Sequence, residues 1–309
     1  MRSLCLILLA GWMTGSLTSA KTFTCAELIE LSEAVDLLGS KVVEFDEAAA
    51  NEWVEAHPLA LRKGAQQLLK LTNFVDYGRF SKRIDDQTRK IIRDLKKKDR
   101  PIVVVASHED DIHGRSEKIK SSHWLTGRAL TKFKELRSLP MLTAHEKPRI
   151  EDALRNGCRQ IIIIDDMSIS GDQLISNLKA ISQAGHWYTF QVTLIIPYST
   201  NDARKRLRRY EALSDSITIN WPGKANIVST YDLFYTEEDV RIDEAYKIAL
   251  KREKIIFSGG WDSSQGLTLF EHKLPDSESF PPWMVEGRVP GTNKRFPFIK
   301  AEKAAYSAL

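Results

Sequence analysis

Cysteine is scarce in this chain: it has three in 309 residues. No two stand in a Cys-x-x-Cys pattern, which excludes the familiar cysteine metal and redox sites. Charge of one sign is scarce too. Forty-five basic residues face forty-one acidic ones, for a net charge of +4. So mild a balance argues against a nucleic-acid binder and against a membrane-surface protein. Past residue 17 there is no long apolar run, so no later segment approaches a membrane span. Internal repeats and low-complexity stretches are absent. So are the Gly-x-Ser-x-Gly, Walker and His-Glu-x-x-His patterns.

The one long apolar run is at the start. Arg2 precedes Leu4-Cys5-Leu6-Ile7-Leu8-Leu9-Ala10 and further apolar residues to Leu17, and Thr18-Ser19-Ala20 follows as a small-residue cleavage site. Residues 1–20 therefore read as a secretory signal peptide. The expected location is secreted or periplasmic, with no membrane segment left after cleavage. An uncleaved anchor is the alternative, because Trp12 and a single basic residue are not ideal for a signal. Cys25 and Cys158 would remain after cleavage. In an oxidising compartment they could pair, although sequence separation says nothing about their distance.

The rest of the chain divides by pattern. Residues 21–99 read as a helical N-terminal region. Thr88 to Lys98 forms its basic amphipathic end, more simply a solvated helix face than a binding surface. Residues 100–235 alternate strand and helix. Strands are expected at 101–106, 161–164, 190–196, 217–219 and 227–228. Helices are expected at 118–136, 149–156, 174–184 and 202–212. Such alternation implies crossovers and a parallel sheet, an α/β core. Residues 236–309 read as a C-terminal extension packing on that core, with strands at 255–257 and 267–270.

One stretch carries the most information. Ile161-Ile162-Ile163-Ile164 is a strand apolar on both faces. Asp165 and Asp166 follow at its carboxyl end. Then come Met167-Ser168-Ile169-Ser170-Gly171-Asp172-Gln173 and the start of a helix. In open α/β sheets ligands bind at that edge. Amides of such a turn, with a helix start behind them, suit a phosphate. The paired carboxylates suit hydroxyl groups or a metal. A buried strand followed by an Asp- and Ser-rich capping turn accounts for the same residues without a ligand.

This stretch resembles the phosphoribosyl-diphosphate (PRPP) loop of type I phosphoribosyltransferases: hydrophobic strand, two acidic residues, spacer, small hydroxyl residues, glycine. The stretch from Leu267 to Trp283 is similar to the C-terminal part of phosphoribosyltransferase-like proteins found beside bacterial conflict systems. Together they extend the resemblance over residues 100–285 and leave the helical N-terminus unmatched. The implied fold is a parallel-sheet phosphoribosyltransferase-like core. By position, Asp165 and Asp166 would take the ribose hydroxyls. Ile169, Ser170, Gly171, Asp172 and Gln173 would form the 5′-phosphate turn. Two positions depart from the pattern. Asp172 stands where a small residue is usual, and Gln173 where Ser or Thr is usual. A carboxylate beside a phosphate is repulsive, so either Asp172 points away or the pocket is altered.

The resemblance also assigns the loop 107–116, Ser107-His108-Glu109-Asp110-Asp111-Ile112-His113-Gly114-Arg115-Ser116. Gly114, Arg115 and Ser116 are pyrophosphate-loop candidates. The histidines and acids of the same loop could instead bind a metal, and a polar surface loop explains them equally. His145, Glu146 and Lys147 fall where the family places a mobile hood, or in a solvated loop. Lys205, Arg206, Arg208 and Arg209 could attract a phosphate, or form a wet helix face. Trp221 could stack on a base, or pack as core.

The expected function is that of an exported phosphoribosyltransferase-like protein. It binds a ribose phosphate, and Mg²⁺ is the expected cofactor if it transfers the phosphoribosyl group with pyrophosphate release. Export conflicts with PRPP, which is cytosolic. Delivery into another cell, an extracellular nucleotide or sugar phosphate, or loss of catalysis would each resolve that. A non-catalytic binding or regulatory module is the second reading. A metal-dependent phosphohydrolase on Asp165, Asp166 and the His108–His113 loop is the third. No nucleic-acid or membrane partner is expected.

Overall fold

The structure, a computed structural model, describes residues 24–38, 43–95, 101–104, 121–137, 142–144, 147–184, 188–224, 226–229, 242–252, 266–271 and 280–301. The segment 1–20, the loop 107–116 with Gly114, Arg115 and Ser116, the hood residues His145 and Glu146, and the strand expected at 255–257 lie outside these residues.

Five parallel strands form the main sheet. They are β3 (Pro101–Val104), β4 (Leu142–Ala144), β5 (Gln160–Ile164), β7 (Phe190–Ile195) and β9 (Ile217–Asn220), in the order β4-β3-β5-β7-β9. The helices between them are α5 (Ser121–Arg137), α6 (Lys147–Arg155), α7 (Asp172–Ala184) and α8 (Asn201–Ala212). A parallel pair needs such a crossover, because the chain must return to the same edge before it can pair again. The expected α/β core with a parallel sheet is what the chain forms.

Strand β5 is buried on both faces, and the alternation of its side chains shows how. Ile162 and Ile164 join one apolar cluster, with Phe80, Leu125, Ala129 and Phe133. Ile161 and Ile163 join another, with Ile150, Leu154, Leu178, Ile181 and Leu207. Helices thus cover both faces. Each fully buried isoleucine contributes about 1.5–3 kcal/mol, so the four-residue run anchors the centre of the sheet.

The N-terminal region is not helical throughout. Helices α1 (Cys25–Leu38), α2 (Glu47–Glu55), α3 (Leu59–Leu71) and α4 (Tyr77–Asp94) are interrupted by β1 (Val43–Phe45) and β2 (Asn73–Val75). Both strands pair with C-terminal ones. β2 runs parallel to β10 (Thr268–Phe270), and β1 antiparallel to β11 (Ile299–Ala301). With α9 (Glu244–Arg252) and α10 (Pro282–Val285), these segments close a third apolar cluster around Trp53, Leu68, Tyr246, Phe280 and Phe298. Three-residue strands carry too little periodicity to read in advance. That is why β1, β2, β4 and β11 were invisible in the sequence.

Two further expectations are corrected. Residues 227 and 228 form no strand. Instead Asn226 and Ile227 donate backbone bonds to Ser199 O at 2.9 and 3.0 Å, Val228 O accepts from Leu267 N at 2.9 Å, and Ser229 forms an isolated bridge to Gly266. The amphipathic helix expected from Thr88 begins a full eleven residues earlier, at Tyr77. Asp76 caps it, accepting from Arg79 N at 2.8 Å. Cys158 is buried, and its Sγ lies 3.2 Å from Gln160 O. Among the described residues no helix is long and apolar enough to cross a membrane.

Candidate ribose-phosphate site

Strand β5 ends at Ile164, and the next two residues carry the carboxylates. Both are buried, Asp165 to 5% and Asp166 to 3% exposure. Asp165 N still donates to Ile195 O on β7, at 3.1 Å. The sheet ladder therefore fixes the position of the first carboxylate. Asp165 Oδ1 accepts from Asp166 N at 2.9 Å, and Oδ2 from the Gln173 side-chain amide at 3.4 Å. Gln173, one of the two departures from the expected pattern, thus reaches back across the turn to the first acid.

The turn after the acids is held from its far side. Met167 and Ser168 form a short strand, β6, parallel to β8 (Tyr198–Ser199). Thr200 N donates to Ser168 O at 3.1 Å, and the Thr200 hydroxyl donates to Ile169 O. The same hydroxyl caps α8 by accepting from Ala203 N at 3.0 Å. One threonine therefore locks the turn to the start of the next helix. Gly171 has φ of +79°, a region that L side chains avoid. A Cβ there would stand 3.1 Å from Ala203 O. Both the conformation and the close approach require glycine.

Asp172 opens α7, and its carboxylate turns outward. Arg206 of α8 grips both oxygens: Nη1 donates to Oδ2 at 3.1 Å, and Nη2 makes a shorter bond to Oδ1. The charge that would repel a phosphate is therefore paired with a cation and directed to α8 rather than over the turn. The Asp172 side chain is 53% exposed and that of Arg206 36%. Such a pair adds at most about 1 kcal/mol to stability. Its consequence is local and electrostatic.

Asp165, Asp166, Ile169, Ser170, Gly171, Asp172 and Gln173 thus lie in one continuous turn at the carboxyl end of β5. Gly114, Arg115, Ser116, His145 and Glu146 lie outside the described residues, and Lys147 opens α6. Among the described residues, no group of three or more His, Cys, Asp or Glu side chains could hold a metal ion. Trp221 is not an open stacking platform. The Arg204 guanidinium lies 4.1 Å over its ring, and its indole N–H donates to Ile196 O at 3.3 Å.

Sequence reasoning missed Thr200 altogether and treated Arg206 as one of four interchangeable basic residues. A Thr just before a helical pattern is a readable capping signal. The pairing of Arg206 with Asp172 has no sequence signal, because the two lie on different helices.

A parallel sheet carrying buried acids and a glycine turn at one carboxyl edge defines a phosphoribosyltransferase-like α/β protein. A family model described as PRTase-CE matches residues 58–279, more than half of the chain, and the chain belongs to that phosphoribosyltransferase-like family. No curated protein matches it. The match begins within the N-terminal region, at Pro58, so the resemblance is not confined to residues 100–285.

Proposed function

We propose that the chain binds a ribose phosphate at the carboxyl end of β5 and transfers its phosphoribosyl group. The observation carrying this reading is the outward pairing of Asp172 with Arg206, which neutralises the one acidic side chain within the turn 169–173. Asp165 and Asp166 would accept bonds from the ribose hydroxyls and orient the sugar. Backbone amides at the start of α7 would hold the 5′-phosphate. In transfer, the bond from the anomeric carbon to pyrophosphate breaks as an acceptor nucleophile bonds to that carbon, through an oxocarbenium-like transition state. Positioning supplies much of the rate. Two adjacent carboxylates fit Mg²⁺, which uses one or two carboxylates plus substrate phosphates; when bound it would offset charge on the leaving pyrophosphate. Residues 1–20 are proposed as a cleaved export signal, checked by the mass of the mature N-terminus.

Asp165→Asn with Asp166→Asn should abolish ribose 5-phosphate binding in calorimetry while leaving circular dichroism unchanged. Undiminished binding would sink the ribose reading. A non-catalytic binding module is the second reading, favoured by the Gln173 amide already bonded to Asp165. Pyrophosphate release from PRPP with Mg²⁺ supports the transferase. Binding of PRPP without release supports the module.

A further inference from the structure

A second cationic feature lies beside the phosphate turn. Arg204 follows Ala203, whose backbone abuts Gly171. Its Nε donates to Ser199 Oγ at 2.9 Å, and its guanidinium lies over Trp221. Nη2 is buried and finds no hydrogen-bond partner among the described residues. Across from it Gln87 Oε1 is buried and likewise without a partner among the described residues, while Gln87 Nε2 reaches Ile196 O at 3.4 Å. The two side chains converge on the backbone of Gly223. A Cβ placed there would stand 3.1 Å from Gln87 Nε2 and 3.3 Å from Arg204 Nη2.

The electrostatics are as unbalanced as the hydrogen bonding. Arg206 spends its charge on Asp172. Neither Arg204 nor Arg208, one turn further along α8, enters an ion pair among the described residues. Burial, with Arg208 adding repulsion, brings the Arg204 guanidinium down to about 10, so it remains charged at neutral pH. Burying a charged donor without an acceptor is costly. Stacking on Trp221 offsets only about 0.5–2 kcal/mol. A water molecule could meet one N–H group but supplies no negative charge. Guanidinium groups pair best with planar or tetrahedral oxyanions.

We propose that Arg204 and Arg208, beside Trp221 and Gln87, hold a second anionic group, a carboxylate or phosphate. If the Gly171 turn takes a phosphoribosyl donor, this group belongs to the acceptor, which is then an organic anion. Only that assignment rests on the ribose-phosphate reading; the anion site itself does not.

The test uses the full chain. Inorganic phosphate and, separately, benzoate are titrated calorimetrically in the presence of saturating ribose 5-phosphate. One further equivalent of either should bind, and the better probe tells phosphate from carboxylate. Arg204→Met with Arg208→Met should weaken that second event about tenfold or more. Ribose 5-phosphate affinity should stay unchanged, with thermal melts checking the fold. If the double variant does not fold, Arg208→Gln and Arg204→Lys alone are read the same way. Failure of both probes to bind the wild-type chain beside ribose 5-phosphate overturns the proposal. So does equal binding by the variants. If ribose 5-phosphate itself does not bind, the ribose reading fails, and the same titrations without it still decide the second site.

Discussion

At the residue scale, the site depends on how charges are disposed around one glycine. Gly171 needs a positive φ and lies against Ala203. Gly171→Ala should cost about 1–2 kcal/mol from the left-handed backbone alone, read as a lowered urea midpoint, and should weaken ribose 5-phosphate binding as the turn shifts. The Asp172–Arg206 pair gives a sharper prediction. Arg206→Gln leaves a bare carboxylate beside the turn proposed to hold the phosphate and should weaken ribose 5-phosphate binding roughly five-fold. Asp172→Asn should not weaken it. The double variant should bind like Asp172→Asn. A double-mutant cycle by calorimetry checks all three, and equal losses in Arg206→Gln and the double variant would refute charge neutralisation. The two acids and the glycine turn were legible from sequence because they are consecutive. The partner of Asp172 was not, since it lies thirty-four residues away on another helix.

At the element scale, helices are joined by contacts of two kinds. The first is close backbone approach. Gly127 on α5 faces α1, and a Cβ there would stand 1.7 Å from Leu28 O. Because backbone cannot rotate away, Gly127→Ala must push the helices apart, at about 1–3 kcal/mol, measured by denaturant unfolding. The second is a buried polar lock between α2 and α9. His57, just past α2, is 2% exposed. Its Nδ1 donates to Trp53 O at 2.8 Å, and its Nε2 accepts from the Tyr246 hydroxyl at 3.2 Å. Burial, the largest influence, lowers its affinity for a proton below the usual 6.5. The neutral ring is therefore the stable form in the fold. Its contribution is fully present above pH 6.5 and is lost as pH falls from there through the lower folded value. Melts between pH 8 and 5 should show the wild type losing more stability than His57→Gln. Parallel curves would rule the lock out. The helices at 174–184 and 202–212 were close to legible, because their apolar spacing and flanking turns are local. The short strands were not, because pairing rather than periodicity makes them.

At the scale of the whole molecule, the N-terminal and C-terminal segments are one structural unit. β2 finds its partner in β10 and β1 in β11, and Trp53 from α2 packs with Phe298 and Trp283. Phe270 of β10 and Phe80 of α4 both pack edge-on to or stacked with Tyr198, directly after the main sheet. Phe270 of β10 therefore joins the apolar cluster that holds Ile162 and Ile164 of the central strand. A chain ending after residue 252 should lose cooperative unfolding and ribose 5-phosphate binding together. Retained cooperative melting would show instead that the main sheet stands without its C-terminal partners.

The parallel core, its central strand, and the two carboxylates and glycine turn at that strand's end are all readable from the amino-acid order. Those follow from consecutive residues, where side-chain period and backbone preference act locally. Packing alone brings Asp172 to Arg206, lays Arg204 over Trp221, and pairs β1 with β11. Each of these joins residues far apart in the chain. Their energies depend on burial and distance, which arise only once the helices have packed.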